Sequence, residues 1–309
     1  MRTLKSGIIS FLSLLLILSF LFCSCSLPKP QDPSKSDPGV SVGAFDPEAI
    51  LAAVPAFTDK AFVNVNDGKP FFTESDYTTE AFERYAELDP LGRCGITYAN
   101  VCKELMPTEE RGNIGSVKPS GWHTVKYDIV DGKYLYNRCH LIGYQLTGEN
   151  ANRQNLITGT RYLNIQGMLP YENMVADYVK ETGNHVLYRS TPLFDGDELV
   201  ARGVLLEGYS VEDGGEGISF CVYCYNNQPG ITIDYATGES RLEGDTAQTP
   251  STGETEESVT YILNVAGKKF HLPTCPSVGA MKEENRQTYT GTREELIEDG
   301  YSPCGSCKP

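Results

Sequence analysis

The sequence has few positive charges for its length. Its 309 residues include 26 lysines and arginines against 41 aspartates and glutamates, a formal net charge of −15. Such a balance argues against a protein that coats DNA through broad electrostatics, but not against one that grips a few phosphates at one local site. The sequence shows no internal repeat. Its hydrophobic fraction of 40% and charged fraction of 22% argue against a wholly disordered chain, and its length predicts about two domains.

A full disulfide framework is also missing. Five of the ten cysteines are scattered through the middle of the chain, an odd number that does not predict complete pairing. Cys94 and Cys102 could pair, although small buried thiols are the favoured interpretation. Cys221 and Cys224 lie three residues apart in a strand-like run, which puts them on opposite faces and argues against a bond between them. The other cysteines lie near the two ends of the chain: Cys23, Cys25, Cys275, Cys304 and Cys307.

The N-terminal residues 1–25 have the pattern of a lipoprotein signal peptide. Arg2 and Lys5 precede an apolar run from Ile8 to Phe22, which predicts export, with an uncleaved membrane anchor as the alternative. The run ends in "FCSC" and resembles a bacterial lipobox in which Cys25, rather than Cys23, is lipidated. We therefore expect a protein on the outer face of a bacterial membrane, held there by a lipid anchor or secreted.

Composition divides the rest of the chain into four segments. Residues 26–45 are rich in proline, serine and aspartate and predict a tether without a core. Residues 241–257 are acidic and rich in threonine and predict a second linker. The main domain would then span residues 46–240, and a small module residues 258–309.

The main domain is predicted to be α+β, with an antiparallel sheet. "HTVKYDIVDGKYLYNRCH", residues 123–140, predicts a hairpin that turns at Asp131-Gly132. "TGTRYLNIQG" predicts a short helix that starts at a threonine and stops at Gly167. "PYENMVADYVKETG" predicts a longer helix from Pro170 to Gly183, and three antiparallel strands follow.

The segment from residue 136 to 164 departs from the acidic character of the chain. It contains five asparagines and a single acidic residue, Glu149. Its order of strand, histidine, loop and helix brings together residue types that suit phosphodiester hydrolysis. His140 is suited to deprotonate water, the amide oxygen of Asn164 to hold a hard divalent ion such as Mg²⁺, and Arg138 to offset negative charge.

This segment resembles a known family. "NRCH", residues 137–140, stands where the DNA/RNA non-specific endonucleases carry an Asp-Arg-Gly-His motif, and its surroundings look like the secreted branch of that family. The resemblance covers roughly residues 50–240 and is most specific over 136–173. It implies a ββα-metal (His-Me finger) fold and hydrolysis of DNA or RNA that depends on Mg²⁺, for which Mn²⁺ can substitute.

The resemblance also implies roles for individual residues. His140 would be the general base, Asn164 the metal ligand and Arg138 a phosphate-binding catalytic residue. Further candidates are Glu172 in the water shell of the metal, and Asn155 and Gln145 as nucleic-acid contacts.

Two positions depart from the family motif. Asn137 stands in place of the usual aspartate and Cys139 in place of the usual glycine. The aspartate supports the site rather than acting as its base, so we expect activity to survive, at a lower rate.

Structural explanations compete with these roles. A histidine at the end of a strand beside an arginine is more often structural, although the asparagine-rich loop and the helix with Asn164 favour a site. Glu172 could be a first-turn acid that the helix dipole stabilises. The amide-rich loop could be a solvated turn network, because asparagine is common in turns.

The C-terminal module carries four metal-binding side chains in two close pairs. His271 and Cys275 form one pair, and Cys304 and Cys307 form the other about thirty residues later. This set predicts a closed, structural Zn²⁺ site, with a disulfide from Cys275 as the alternative. The module resembles the Ada-type metal-binding domain, with His271 in place of one cysteine.

The sequence thus predicts an exported Mg²⁺-dependent endonuclease with a structural zinc module and no obligate protein partner. Two alternatives belong to other classes of protein. One is a surface lipoprotein that captures DNA on an inactive nuclease fold, and the other is an adhesion protein with no role in nucleic acid binding.

Overall fold

The computed structural model describes residues 39–244, 259–291, 293, 296 and 301–309. The predicted signal peptide, its lipidation candidate Cys25 and most of the acidic linker lie outside the described residues. Within the described ranges, no helix has the length and apolar character needed to cross a bilayer.

The chain folds into alternating groups of strands and helices. Before the gap at 245–258 the strands are β1 (Phe62–Asn64), β2 (Phe82–Tyr85), β3 (Thr97–Val101), β4 (Tyr136–His140), β5 (Leu156–Thr160), β6 (Val186–Leu193), β7 (Gly203–Ser210), β8 (Ser219–Tyr225), β9 (Ile231–Ile233) and β10 (Ser240–Leu242). The helices there are α1 (Pro47–Ala53), α2 (Tyr144–Thr147) and α3 (Leu169–Thr182), with a 3₁₀ turn at Asn66–Gly68 and a π-helical turn at Leu163–Met168. After the gap come β11 (Val259–Asn264), β12 (Lys269–His271), α4 (Pro276–Gly279), a 3₁₀ turn at Glu283–Asn285, β13 (Arg286–Gly291) and β14 (Ser302–Pro303).

A six-stranded antiparallel sheet is the base of the main domain, in the order β1-β8-β7-β6-β3-β2. Its central strands are buried on both faces, which is why β6, β7 and β8 are rich in apolar and small residues. α3 and the hairpin with His140 belong to the core on one face, and residues 40–71 cover the other. Cys224 lies in the first core and Cys221 in the second, as their spacing predicted.

The folded part of the chain begins before the predicted end of the tether at residue 45. Val40 is only 6% exposed, forms a parallel bridge with Val65 and belongs to the same core as Ile50. At the other end, β10 extends to Leu242, past the predicted boundary at 240. Both boundaries follow from short apolar contacts that composition alone does not reveal.

The predicted hairpin is wrong in its pairing. β4 pairs with β5, with His140 opposite Leu156, whereas the earlier segment keeps only a single bridge between Lys126 and Tyr134. The physical reason is burial. All five residues of β5 are buried, and β4 is buried at all but Asn137, whereas residues 123–127 are exposed or half-buried and cannot cover a buried strand.

The predicted stop at Gly167 is also wrong, although the predicted start at a threonine is confirmed. Thr160 accepts the N–H of Leu163 through its hydroxyl at 2.9 Å and caps a helical run that continues to Thr182. Within this run the N–H of Leu169 donates to the carbonyl of Asn164, five residues back, and Pro170 has no N–H to donate. The run ends at Gly183, in the left-handed conformation, as predicted.

One side chain joins the two-stranded sheet to the main sheet. Asn226 follows β8 and is completely buried. Its Oδ1 accepts the N–H of Thr160 at 2.8 Å, and its Nδ2 donates to the carbonyls of Thr158 at 3.0 Å and Ala201 at 2.9 Å. Its backbone N–H and C=O are paired as well. These bonds fix β5 against the end of β8.

The C-terminal residues form a second small α+β unit. Its sheet has the order β13-β11-β12-β14, and β12 and β14 run parallel. Four buried side chains make its core: Tyr261, Leu263, Phe270 and Leu296.

The cysteine that replaces the family glycine is accommodated by a glycine on the partner strand. Cys139 is completely buried, and a Cβ at Gly159 would lie 2.3 Å from its Sγ and 2.9 Å from its Cβ. Both distances are too short for real atoms, so the two positions are complementary.

We therefore expect Gly159→Ala to lower the free energy of unfolding by about 1–3 kcal/mol, the usual cost of overpacking a core. Adding Cys139→Gly should restore most of the loss, and Gly43→Ala, which has nothing within 4 Å of its new Cβ, should change little. Urea unfolding of the four proteins measures this. Equal losses with and without Cys139→Gly would contradict the complementarity.

Candidate active site and metal centre

His140 lies at the end of β4 with both ring nitrogens engaged. Nε2 lies 2.7 Å from the carbonyl oxygen of Asn150, and Nδ1 lies 3.3 Å from the Nη2 of Arg111. Because arginine can only donate, Nδ1 accepts and Nε2 carries the proton that is donated to Asn150. The ring is only 6% exposed, and this burial lowers the pKa of His140 to about 4, with a smaller contribution from Arg111. The imidazole is therefore neutral near pH 7, with a lone pair on Nδ1.

Arg111 is the residue of the site that the sequence analysis missed. It is exposed, in a long irregular segment between β3 and β4, and no strand or helix pattern points to it. The only local signal is a lone cation followed by glycine within the acidic "TEERGN". Its charge acts on the pKa of both His140 and Glu172.

Asn164 lies in the π-helical turn and reaches back to β4. Its Nδ2 donates to the Oδ1 of Asn137 at 3.2 Å, which leaves the Oδ1 of Asn164 as the ligand oxygen. Asn137, which replaces the family aspartate, thus still offers the oxygen that orients Asn164. The structure brings Asn164 to within three residues of His140 along the same strand.

Glu172 is a buried carboxyl group rather than a surface acid of a helix. It is 8% exposed, and burial raises its pKa to about 7, while the charge of Arg111 and a hydrogen bond from Gln145 act in the opposite direction. A Cβ at Gly143 would lie 2.6 Å from its Oε2, so the carboxylate rests against the backbone three residues after His140. Such burial of an acid disfavours the interpretation as a helix-dipole acid.

The other three predicted residues make internal contacts. Arg138 is 8% exposed and donates to the carbonyls of Val117 at 2.6 Å and Gly115 at 2.8 Å. Asn155 is completely buried, with its Oδ1 and Nδ2 on the backbone N–H and C=O of Ile142. Gln145 donates to the Oδ1 of Asn173 at 3.0 Å. These contacts disfavour the expected nucleic-acid contacts of Arg138 and Asn155.

The donor atoms of this site suit a hard cation. Asn164 and Glu172 supply an amide oxygen and a carboxylate, the ligand types that hard divalent ions take in proteins. A neutral histidine and an arginine stand beside them, so the arrangement can accept a proton and stabilise an anion.

The C-terminal cluster can also hold a metal ion, of a softer kind. The ligand atoms of its four residues all lie within 4.8 Å of one another: His271, Cys275, Cys304 and Cys307. None of the eight described cysteines forms a disulfide, so the predicted alternative bond is not formed. The backbone N–H groups of Cys307 and Ser306 hold the pKa of the Cys304 thiol below its usual range. Three thiols and an imidazole match the donors of tetrahedral sites.

A histidine at the end of one strand of an antiparallel pair, followed by a helix with an asparagine, defines the ββα-metal class of nuclease sites. Residues 73–211 match the family described as DNA/RNA non-specific endonuclease, and this part of the chain belongs to that family. The sequence is 32% identical over 136 residues to a deoxyribonuclease of Streptococcus dysgalactiae subsp. equisimilis. The match covers 41% of this chain and only 40% of that relative.

Solved structures share the fold. NucA from Streptococcus agalactiae with magnesium bound has a TM-score of 0.53 and 26% identity, over 59% of this chain and 88% of that one. The same protein with no metal bound has a TM-score of 0.54 and 27% identity, over 62% and 92%. The predicted α+β nuclease fold is confirmed.

We expect the His140 ring to titrate at about pH 4 in the folded protein, and Arg111→Gln to raise that pKa because it removes a neighbouring positive charge. Since an unfolded histidine titrates at about 6.5, this residue makes the folded state less stable as pH falls from 6.5 towards 4, and contributes no such change above 6.5. NMR titration of the histidine ring protons measures the pKa. Lys133→Gln, which removes an exposed cation paired with Asp128, is the control. A His140 titration near 6.5 would contradict the assigned environment.

Proposed function

We propose that the protein is an exported, metal-dependent, sugar-non-specific endonuclease that hydrolyses phosphodiester bonds of DNA, with RNA as a second substrate. The observation that carries the proposal is the neutral His140, whose Nδ1 lone pair faces Arg111 in the same site as Asn164 and Glu172. The similarity to a deoxyribonuclease and to NucA supports the same activity.

His140 acts as the general base in this proposal. Its Nδ1 takes a proton from the water that attacks phosphorus in line with the leaving oxygen. The bond from Nε2 to the carbonyl of Asn150 fixes the tautomer and stabilises the imidazolium that forms. Arg111 moves from Nδ1 to the phosphate oxygens when substrate enters, which frees the base and places a positive charge where negative charge develops.

Asn164 and Glu172 hold a Mg²⁺ ion, directly or through water, and Mn²⁺ can replace it. When bound, the ion supplies Lewis-acid stabilisation of the charge on the phosphate and the leaving oxygen. Asn137 orients the ligand oxygen of Asn164, and Gly143 leaves room for the carboxylate of Glu172.

The proposal also covers the parts of the chain outside the nuclease family match. The C-terminal unit is a structural zinc module of the Ada type, and residues 1–25 direct export and lipid attachment at Cys25 to the outer face of a bacterial membrane. The main alternative is a surface protein that captures DNA without cutting it. The paired and neutral His140 beside two oxygen ligands favours the enzyme, because capture needs neither a base nor a metal.

We expect the full chain to degrade circular plasmid in Mg²⁺ and to lose this activity in EDTA. His140→Ala should lower the rate by at least about 10²-fold, because it removes the general base. His185→Ala, which removes an exposed histidine paired with Glu212, is the matched control and should keep the activity. Plasmid that is bound but stays intact with folded protein would favour DNA capture instead.

The zinc module has its own test. Elemental analysis of the purified chain should find about one zinc ion per molecule, as a four-ligand site requires. Cys304→Ser and His271→Ala should each lower that content, whereas Cys102→Ala, a buried thiol of the main domain, should not. Zinc retained by both cluster variants would place the ion elsewhere.

A further inference from the structure

Arg138 reaches away from the reacting groups even though it shares a strand face with His140. The two residues are two apart in β4, so their side chains leave the strand on the same side. The guanidinium of Arg138 nevertheless turns to the carbonyls of Gly115 and Val117, more than twenty residues earlier in the chain. Its flat face lies 4.1 Å from the ring centroid of Trp122. A side chain that is 8% exposed and engaged in this way has little surface for a phosphate.

The two carbonyls belong to a segment that carries Arg111 to the active site. We call residues 109–120 the arginine loop. It contains no helix or strand, so it depends on side-chain bonds to its carbonyls for its shape. Arg138 makes two of these bonds, at the buried residues Gly115 and Val117.

The other ties of the arginine loop are fewer at each point. The hydroxyl of Tyr144 donates to Glu109, Thr158 donates to Ser120 at the opposite end, and Asn150 donates to Asn113 at 3.3 Å. Arg138 therefore supplies the anchor in the middle of the loop.

Arg111 lies four residues before the first clamped carbonyl and is exposed. Its contact with Nδ1 of His140 depends on where the arginine loop runs. His140 is then enclosed between two segments, with Arg111 on one nitrogen and the carbonyl of Asn150 on the other.

We infer that Arg138 is a positioning residue that clamps the arginine loop and so places Arg111 beside His140, rather than a residue that contacts phosphate. This inference rests on the proposed nuclease function for its catalytic consequence. The clamp itself is a property of the folded chain and has a test that needs no activity.

Limited proteolysis with a glutamyl endopeptidase tests the clamp. Cleavage after Glu109 and Glu110, followed by mass spectrometry, should be at least about tenfold faster in Arg138→Gln than in the wild type, because opening of the loop exposes these bonds. Arg138→Lys keeps the charge but replaces the planar fork that meets two carbonyls, so it should also be cut faster. Lys133→Gln should be cut at the wild-type rate. Unchanged cleavage in both folded Arg138 variants would overturn the inference.

The salt dependence of DNA binding separates the two roles of arginine. Anisotropy of a labelled duplex in EDTA gives the slope of log affinity against log salt, and Arg111→Gln should reduce it by about 0.9, the value of one phosphate contact. Adding Arg138→Gln to Arg111→Gln should leave the slope unchanged and should lower kcat by less than about twofold further, because the clamp acts through Arg111. A further fall of about 0.9 would show that Arg138 contacts phosphate itself.

The same experiments distinguish failure of the inference from failure of the proposed function. A wild type that cuts no plasmid in Mg²⁺ would sink the proposed function, while the proteolysis would still decide whether Arg138 holds the loop. Cutting by the wild type, together with the larger change in slope, would sink only the clamp.

Discussion

The buried amide of Asn226 is the interaction on which the geometry of the site depends. It satisfies backbone groups of β5 and of the segment before β7 at once, and one of them is the N–H of Thr160. Thr160 in turn caps the helical run that carries Asn164 and Glu172. A buried amide with all its groups paired has one favourable orientation, because any rotation leaves polar atoms unsatisfied. The main sheet thereby fixes the distance between strand and helix, and Asn226 lies outside the 73–211 family match.

The chemistry of both sites could be predicted from local spacing, but their surroundings could not. His140 and Asn164 are separated by a short segment whose residue types are restrictive, and the tail cluster follows from two close pairs. The pairing of β4 with β5 was missed because an Asp-Gly turn is a strong local signal, whereas burial of a strand is a property of the whole domain. Arg111 was missed because its approach to His140 is set by contacts over more than twenty residues, including those of Arg138.

The acidic character of the chain and the cationic site are compatible because the positive charges are placed by structure rather than by composition. The main sheet itself uses one of them. Arg189 pairs with the completely buried Glu207 at 2.6 Å and lies over the ring of Phe45, while Glu207 also accepts the N–H of Phe71. This ion pair fastens the segment that covers the outer face of the sheet. In the proposed enzyme, a net negative surface makes binding weak and salt-sensitive, which suits turnover better than retention.

The π-helical turn makes the length of the helical run a parameter of the catalytic centre. A π turn is an α-helix with one additional residue accommodated as a bulge, and each residue of an α-helix rotates the next by about 100°. Removal of one residue between Asn164 and Pro170 would let the run close into a regular helix and would turn Asn164 to another side relative to Glu172. Both ligands would still be present in such a chain, and the family motif would still be recognised. Insertions and deletions of a single codon in this short stretch are therefore a route by which a nuclease fold could lose its metal while it keeps every residue that identifies it.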